Sequence, residues 1–216
     1  MHRRRFHVLL NTPLFGKTVL FLGSSVTYGA CSGGYSFVEA LAERTGLIPV
    51  KEAVSGTTLA DVDDASYIAR MLRLPDKLRP DLFLCQLGTN DATRALPLGE
   101  ISPGRSLADF DPRTVTGALE TIIVHAMNTW RCPVLFYTGT RYDSPAYERM
   151  VERLLALGEK WPIHVLDLWH DPAMLAVPPE DYARYMHDPI HPTREGYVSW
   201  WTPRFEAFLT RHVHDA

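Results

Sequence analysis

The sequence has little of what marks several common protein classes. Of its 216 residues only three are cysteine, Cys31, Cys85 and Cys132, an odd number without paired spacing. That excludes a disulfide-stapled framework, and Cys85 and Cys132 sit in or beside apolar runs, where a buried free thiol is the ordinary reading. No charge of one sign dominates: 22 Lys and Arg stand against 25 Asp and Glu. A protein that binds nucleic acid by neutralising phosphates needs a basic face. The one dense basic run, Arg3-Arg4-Arg5, belongs to a terminus expected to be solvated. No apolar stretch is long enough to span a bilayer as a helix. The apolar residues 6–10 are too few for a signal-peptide core, and Asn11-Thr12-Pro13 interrupts them, so a cytoplasmic location is the expectation. Glycine, proline and aromatic usage is ordinary, which excludes a fibrous or disordered chain.

What is present is an alternation of two periodicities. Residues 18–23, 47–54, 81–87, 133–137 and 163–168 are short apolar runs that suit buried parallel strands, with Pro49 assigning the second to a sheet edge. Between them, residues 34–46, 114–130 and 145–161 repeat apolar positions at helical spacing, and Gly46 is a plausible helix terminator. Residues 193–212 read as a further helix, with Pro203 marking a kink or boundary. Strand–helix alternation predicts an α/β fold: a five-stranded parallel sheet with helices on both faces. There is no internal repeat and no linker, so residues 1–216 are expected to form a single domain with 1–16 as an N-terminal extension.

Ligands of such sheets bind beyond the carboxyl ends of the strands. Four polar segments fall there: Gly23-Ser24-Ser25-Val26-Thr27-Tyr28-Gly29, Ser55-Gly56-Thr57-Thr58, Gly88-Thr89-Asn90-Asp91 and Asp188-Pro189-Ile190-His191-Pro192. Singly, each has a bland reading: a strand-to-helix turn, a turn glycine, a helix cap or a surface turn. His187 and His191 also imitate a metal-ligand spacing, but the prolines spoil the helix it would require and no further His/Cys cluster along the chain supports it.

Taken together and in this order, the segments resemble the conserved blocks of the SGNH hydrolases, the GDSL lipase/esterase family. Gly23, Ser25, Thr27 and Gly29 match its first block; Gly56 its second; Gly88, Asn90 and Asp91 its third; Asp188 and His191 its last. The resemblance implies a three-layer, flavodoxin-like fold and a serine ester hydrolase without a cofactor or metal, acting on a small-molecule ester. It also implies a nucleophile at Ser25, a general base at His191 oriented by Asp188, and an oxyanion hole of the Ser25 and Gly56 amides with the Asn90 side chain. The chain departs from the pattern at Ser24, where the family carries aspartate, so the Ser-Ser pair leaves two candidate hydroxyls; the flanking matches favour Ser25.

The chemistry accounts for these residue types. A serine hydroxyl is a weak nucleophile and needs a base within hydrogen-bond reach. A carboxylate three residues from the histidine on a tight turn can fix its tautomer. Two other classes stand beside this reading: a flavodoxin-like module binding phosphate at residues 24–29, and a degenerate family member that binds a glycan. Neither gives a reason for the full set of Ser25, Gly56, Asn90, Asp188 and His191. For the substrate, residues 92–112, 141–143 and 169–187 are expected to wall the pocket, with Leu96, Leu98, Phe110, Tyr142, Trp169 and Met174 as apolar lining. An open, shallow site would suit short acyl groups such as acetyl on a sugar, so short-chain acyl or acetyl esters are the expectation; neither the exact acyl group nor the oligomeric state can be read from the sequence.

Overall fold

The computed structural model describes residues 12–214; the Arg3–Arg5 run and the apolar residues after it lie outside the described residues. Five strands, β1 (Thr18–Gly23), β2 (Ile48–Ala53), β3 (Leu82–Gln86), β4 (Val134–Tyr137) and β5 (Ile163–Leu166), form one sheet in the order β2-β1-β3-β4-β5. Every pairing is parallel. Pro49 sits on β2, which pairs only with β1, so its missing N–H falls on an edge strand where a proline is tolerated.

Alternation along the strands builds a core on each face. Leu20 and Leu22 of β1, Phe83 and Cys85 of β3, and Val134 and Phe136 of β4 enter one core. Val19 and Phe21, Leu82 and Leu84, and Leu135 and Tyr137 enter the other. Each fully buried Leu, Val or Phe is worth about 1.5–3 kcal/mol of transfer free energy. The first core is covered by α3 (Tyr67–Met71), α5 (Val115–Thr129) and α6 (Pro145–Leu157). The second is covered by α2 (Phe37–Thr45) and α9 (Thr202–His212), where Phe37 stacks on Phe205 with ring centroids 3.9 Å apart. The α/β architecture expected from the periodicities, a parallel sheet between helical layers, is therefore the observed one.

Local chemistry sets the helix ends. The Ser36 hydroxyl accepts from the Val38 amide while Glu39 accepts from the Ser36 amide at 2.7 Å, a reciprocal cap, and α2 ends at Gly46. At the C-terminus the expected single helix divides. Residues Gly196–Trp201 form a wider π turn in which the Thr202 amide and hydroxyl both reach Tyr197 O, and α9 begins at Thr202. Pro203 cannot donate to a carbonyl of the preceding turn, so the boundary falls beside it.

The remaining elements are short. α1 (Ser25–Tyr28) and α4 (Thr89–Thr93) begin at the carboxyl ends of β1 and β3, and α7 (Pro172–Leu175) and α8 (Pro179–Tyr185) occupy a segment expected to be loop. Beyond α4, residues 94–112 hold one short 3₁₀ turn, Leu107–Asp109, and are otherwise irregular but anchored. The Lys160 ammonium bridges the carbonyls of Ser102 and Gly104 and the buried Glu120 carboxylate, each at 2.5 Å, and Glu120 also accepts from the Ser102 amide. Among the described residues no helix is long and apolar enough to cross a membrane.

Candidate active site

The carboxyl end of β1 is organised by one polar side chain. Gln86, the last residue of β3, accepts at Oε1 from the Ser24 amide (2.9 Å), the Thr27 amide (3.2 Å) and the Thr27 hydroxyl (2.8 Å). Its Nε2 donates to Ser24 Oγ at 3.2 Å. The Tyr137 hydroxyl lies 2.7 Å from Thr27 Oγ1 and completes the chain. Gly23 makes the close turn possible, since a Cβ there would stand 1.8 Å from Thr27 Oγ1 and 2.9 Å from Gln86 Oε1. With these groups pinned, Ser24 is wholly buried and Ser25, 7% exposed, is the serine that faces the rim.

The facing side chain comes from a turn near the other end of the chain. Residues 187–191 are closed by the His187 amide on His191 O at 2.8 Å, beside an antiparallel bridge between Met186 and Pro192. Within this turn Asp188 Oδ1 accepts from the amides of Ile190 and His191, both at 2.8 Å, and Oδ2 lies 2.8 Å from His191 Nδ1. His191 Nε2 is then 2.8 Å from Ser25 Oγ. Burial pushes the Asp188 carboxyl up, but the two amides and the His191 ring outweigh it and hold the group below the ordinary carboxylate range.

The third side of the rim joins the ends of β2 and β3. Gly56 has φ +81°, a conformation that favours glycine, and a Cβ on it would meet only open space. Asn90 Nδ2 donates to Thr57 O at 2.9 Å, which orients the amide and leaves its second hydrogen for another acceptor. Asp91, fully buried, accepts from the amides of Leu59 and Ala60 at 2.9 Å each and so ties this loop to α4. Burial pushes the Asp91 carboxyl up to about 6, against the pull of those amides. Arg70, 4% exposed, links the same loop to β1 and β2: Nη2 donates to Gly23 O at 2.8 Å and Thr57 Oγ1 at 3.1 Å, and Nη1 donates to Glu52 O and Oε1.

All five residues singled out from the sequence therefore lie on one rim. Ser25, His191 and Asp188 form a continuous chain of hydrogen bonds, while Gly56 and Asn90 meet at Thr57. Gln86 and Arg70 were not anticipated. A polar residue closing the apolar run Leu82–Gln86 is a usable signal for the first, whereas nothing in the short α3 pattern announces the second. Cys31 was also missed: its Sγ, a carboxylate oxygen of Asp188 and a ring nitrogen of His191 all lie within 4.8 Å of one another. The expected pocket walls need correction. Met174 belongs to the core beneath α2 and α9, whereas Phe110 and Trp169 are buried in the core beneath α5 and α6 and still border surface cavities of about 390 and 310 Å³. Leu96 and Leu98 border a cavity of about 150 Å³ beside α4, and Tyr142 and Trp169 one of about 310 Å³.

Residues 21–198 match the family model of the GDSL-like lipase/acylhydrolase family. The chain belongs to this family. No curated protein matches it. Among solved structures, a protein from Lactobacillus plantarum is 22% identical, with a TM-score of 0.75 over 92% of this chain and 98% of its own. A protein classed as a GDSL-like lipase from Bacteroides ovatus is 18% identical, with a TM-score of 0.65 over 91% of this chain and 99% of its own. A family two carbohydrate esterase from Clostridium thermocellum, solved with cellohexaose, is 13% identical with a TM-score of 0.61, over 93% of this chain and 65% of its own. These similarities concern the fold, while family membership supports esterase or acylhydrolase activity in general terms.

Proposed function

We propose that the protein is a serine esterase that cleaves small acyl esters, with Ser25 as nucleophile, His191 as general base and Asp188 as its orienting carboxylate. The observation that carries this reading is the hydrogen-bond chain from Ser25 Oγ to His191 Nε2 (2.8 Å) and from His191 Nδ1 to Asp188 (2.8 Å). As Ser25 Oγ attacks the ester carbonyl, His191 takes its proton; it then gives that proton to the departing alcohol. Water repeats the sequence on the acyl-enzyme, and the carboxylic acid leaves. Asp188 stays ionised throughout, holding the Nδ1–H tautomer, as its depressed carboxyl favours.

The oxyanion formed at each addition step is received by the amides of Ser25 and Gly56 and the second N–H of Asn90. Ser25 opens α1, where first-turn amides have no intrahelical acceptor, and Asn90 is already oriented by Thr57. The His191 and Asp188 side chains are 22% and 38% exposed, so the site opens to solvent. An open site of this kind suits an acetyl or similarly short acyl group better than a long chain that needs an apolar tunnel.

The test is hydrolysis of p-nitrophenyl acetate, butyrate and octanoate by the purified protein and by Ser25→Ala and His191→Ala. The reading expects turnover to be highest with acetate and lost in both variants. Turnover that survives Ser25→Ala would remove Ser25 as nucleophile, and a preference for octanoate would remove the short-acyl assignment.

A further inference from the structure

We propose that Cys31, Asp188 and His191 form a binding site for a thiophilic divalent cation, Zn²⁺ or Cd²⁺, whose occupation switches the Ser25 hydroxyl off. Cys31 lies in a single 3₁₀ turn, Ala30–Ser32, that follows α1 after Gly29. Its Sγ, an Asp188 oxygen and a His191 ring nitrogen are mutually within 4.8 Å, and all three residues are partly exposed, so an ion can reach them from solvent.

The donor set selects the ion. One sulfur, one nitrogen and one oxygen suit a borderline or soft dication, whereas Mg²⁺ and Ca²⁺ take oxygen ligands. Tetrahedral bonds of about 2.0–2.3 Å place ligand atoms roughly 3.3–3.8 Å apart. No donor pair is therefore more than about 1–1.5 Å wider than a tetrahedral site requires, leaving the fourth position to water. Binding breaks the Cys31 S–H bond, forms the metal–sulfur bond and releases one proton to solvent. Thiolate, carboxylate and neutral imidazole then balance the two positive charges.

The consequence for the proposed reaction follows from which histidine nitrogen is taken. A metal on Nδ1 displaces the bond to Asp188 that orients the ring; a metal on Nε2 removes the acceptor for the Ser25 proton. Either way His191 is withheld. Cys31 itself has no part in the reaction, so replacing it removes one metal ligand without altering the proposed catalytic groups.

The inhibition half of this proposal rests on the esterase reading, and the binding half does not, so they are tested separately. For binding, Cd²⁺ is titrated into the Ser25→Ala protein. A thiolate-to-cadmium ultraviolet band should saturate at one equivalent, disappear in Ser25→Ala/Cys31→Ser, and be competed away by Zn²⁺. For inhibition, Zn²⁺ should suppress p-nitrophenyl acetate hydrolysis by the native enzyme. Cys31→Ser should keep its metal-free turnover and need roughly ten-fold more Zn²⁺ or beyond for the same suppression, since even outer partners of a site are worth about 10–100-fold in affinity. No band, a band that survives Cys31→Ser, or equal Zn²⁺ sensitivity of the two enzymes would overturn the site. A Cys31-dependent band in a protein without esterase activity would uphold the site and overturn the hydrolase reading instead.

Discussion

Ser24 turns its hydroxyl into the protein, where it accepts from Gln86 Nε2 at 3.2 Å and has no exposed surface. Its neighbour Ser25 points the opposite way, to His191. The family's aspartate is thus replaced by a residue that Gln86 holds in place as part of the turn. Ser25→Ala is expected to lower kcat by a factor on the order of 10⁴–10⁶. Ser24→Ala should keep measurable turnover but leave the Gln86 amide without its acceptor, lowering stability by about 1–3 kcal/mol. Steady-state kinetics beside thermal unfolding separates the two; a dead but fully stable Ser24→Ala enzyme would reverse the assignment.

Asn90→Ala removes a donor from the proposed oxyanion hole, for which a loss of about 100- to 1,000-fold in kcat is expected with KM little changed. It also frees Thr57 O, which is next to the Gly56–Thr57 peptide. Kinetics with p-nitrophenyl acetate measures the effect, and a change confined to KM would argue against the role.

Asp188 gives a stability signature as well as a kinetic one. Its folded carboxyl lies below its ordinary value, so its contribution to stability is present above the unfolded value and is lost as pH falls through the folded one. Asp188→Asn should therefore lower Tm by a constant amount from pH 8 to 5, and by less below about pH 4. The same substitution should reduce kcat strongly, because the amide can stabilise the wrong imidazole tautomer. A Tm difference that widened on acidification would contradict the assignment.

Asp91 behaves with the opposite sign. Its folded carboxyl is pushed up to about 6 by burial, so the stability gained from its proton is full below the unfolded value and is lost as pH rises through 6. Asp91→Asn leaves one of the Leu59 and Ala60 amides facing a donor, an expected loss of about 1–3 kcal/mol. That loss should be larger at pH 4.5 than at pH 8. Denaturant unfolding of both proteins across this range provides the check.

Much of this rim was legible in the sequence for physical reasons. Strand-helix alternation assigns the carboxyl ends of parallel strands to one edge, and the spacing of Gly23, Thr27 and Gly29 registers Ser25 against Ser24. The structure adds the cause: Gly23 and Thr27 are where the turn closes on Gln86. Asp188 and His191 were readable because their contact is local to one turn. Cys31 was not, because it meets Asp188 and His191 only through tertiary packing. The short helices α7 and α8, of four and seven residues, were read as loop because so few residues carry no clear period. Met174 was taken for pocket wall because a large apolar side chain near a rim serves wall or core alike, and only burial distinguishes the two.

The central claim is an activated hydroxyl at Ser25, and reaction with a fluorophosphonate followed by peptide mass spectrometry tests it most directly. One phosphonyl group per chain on Ser25, lost in Ser25→Ala and strongly slowed in His191→Ala, is the expected result. A folded protein that does not react, or a label carried by Ser24, would contradict it.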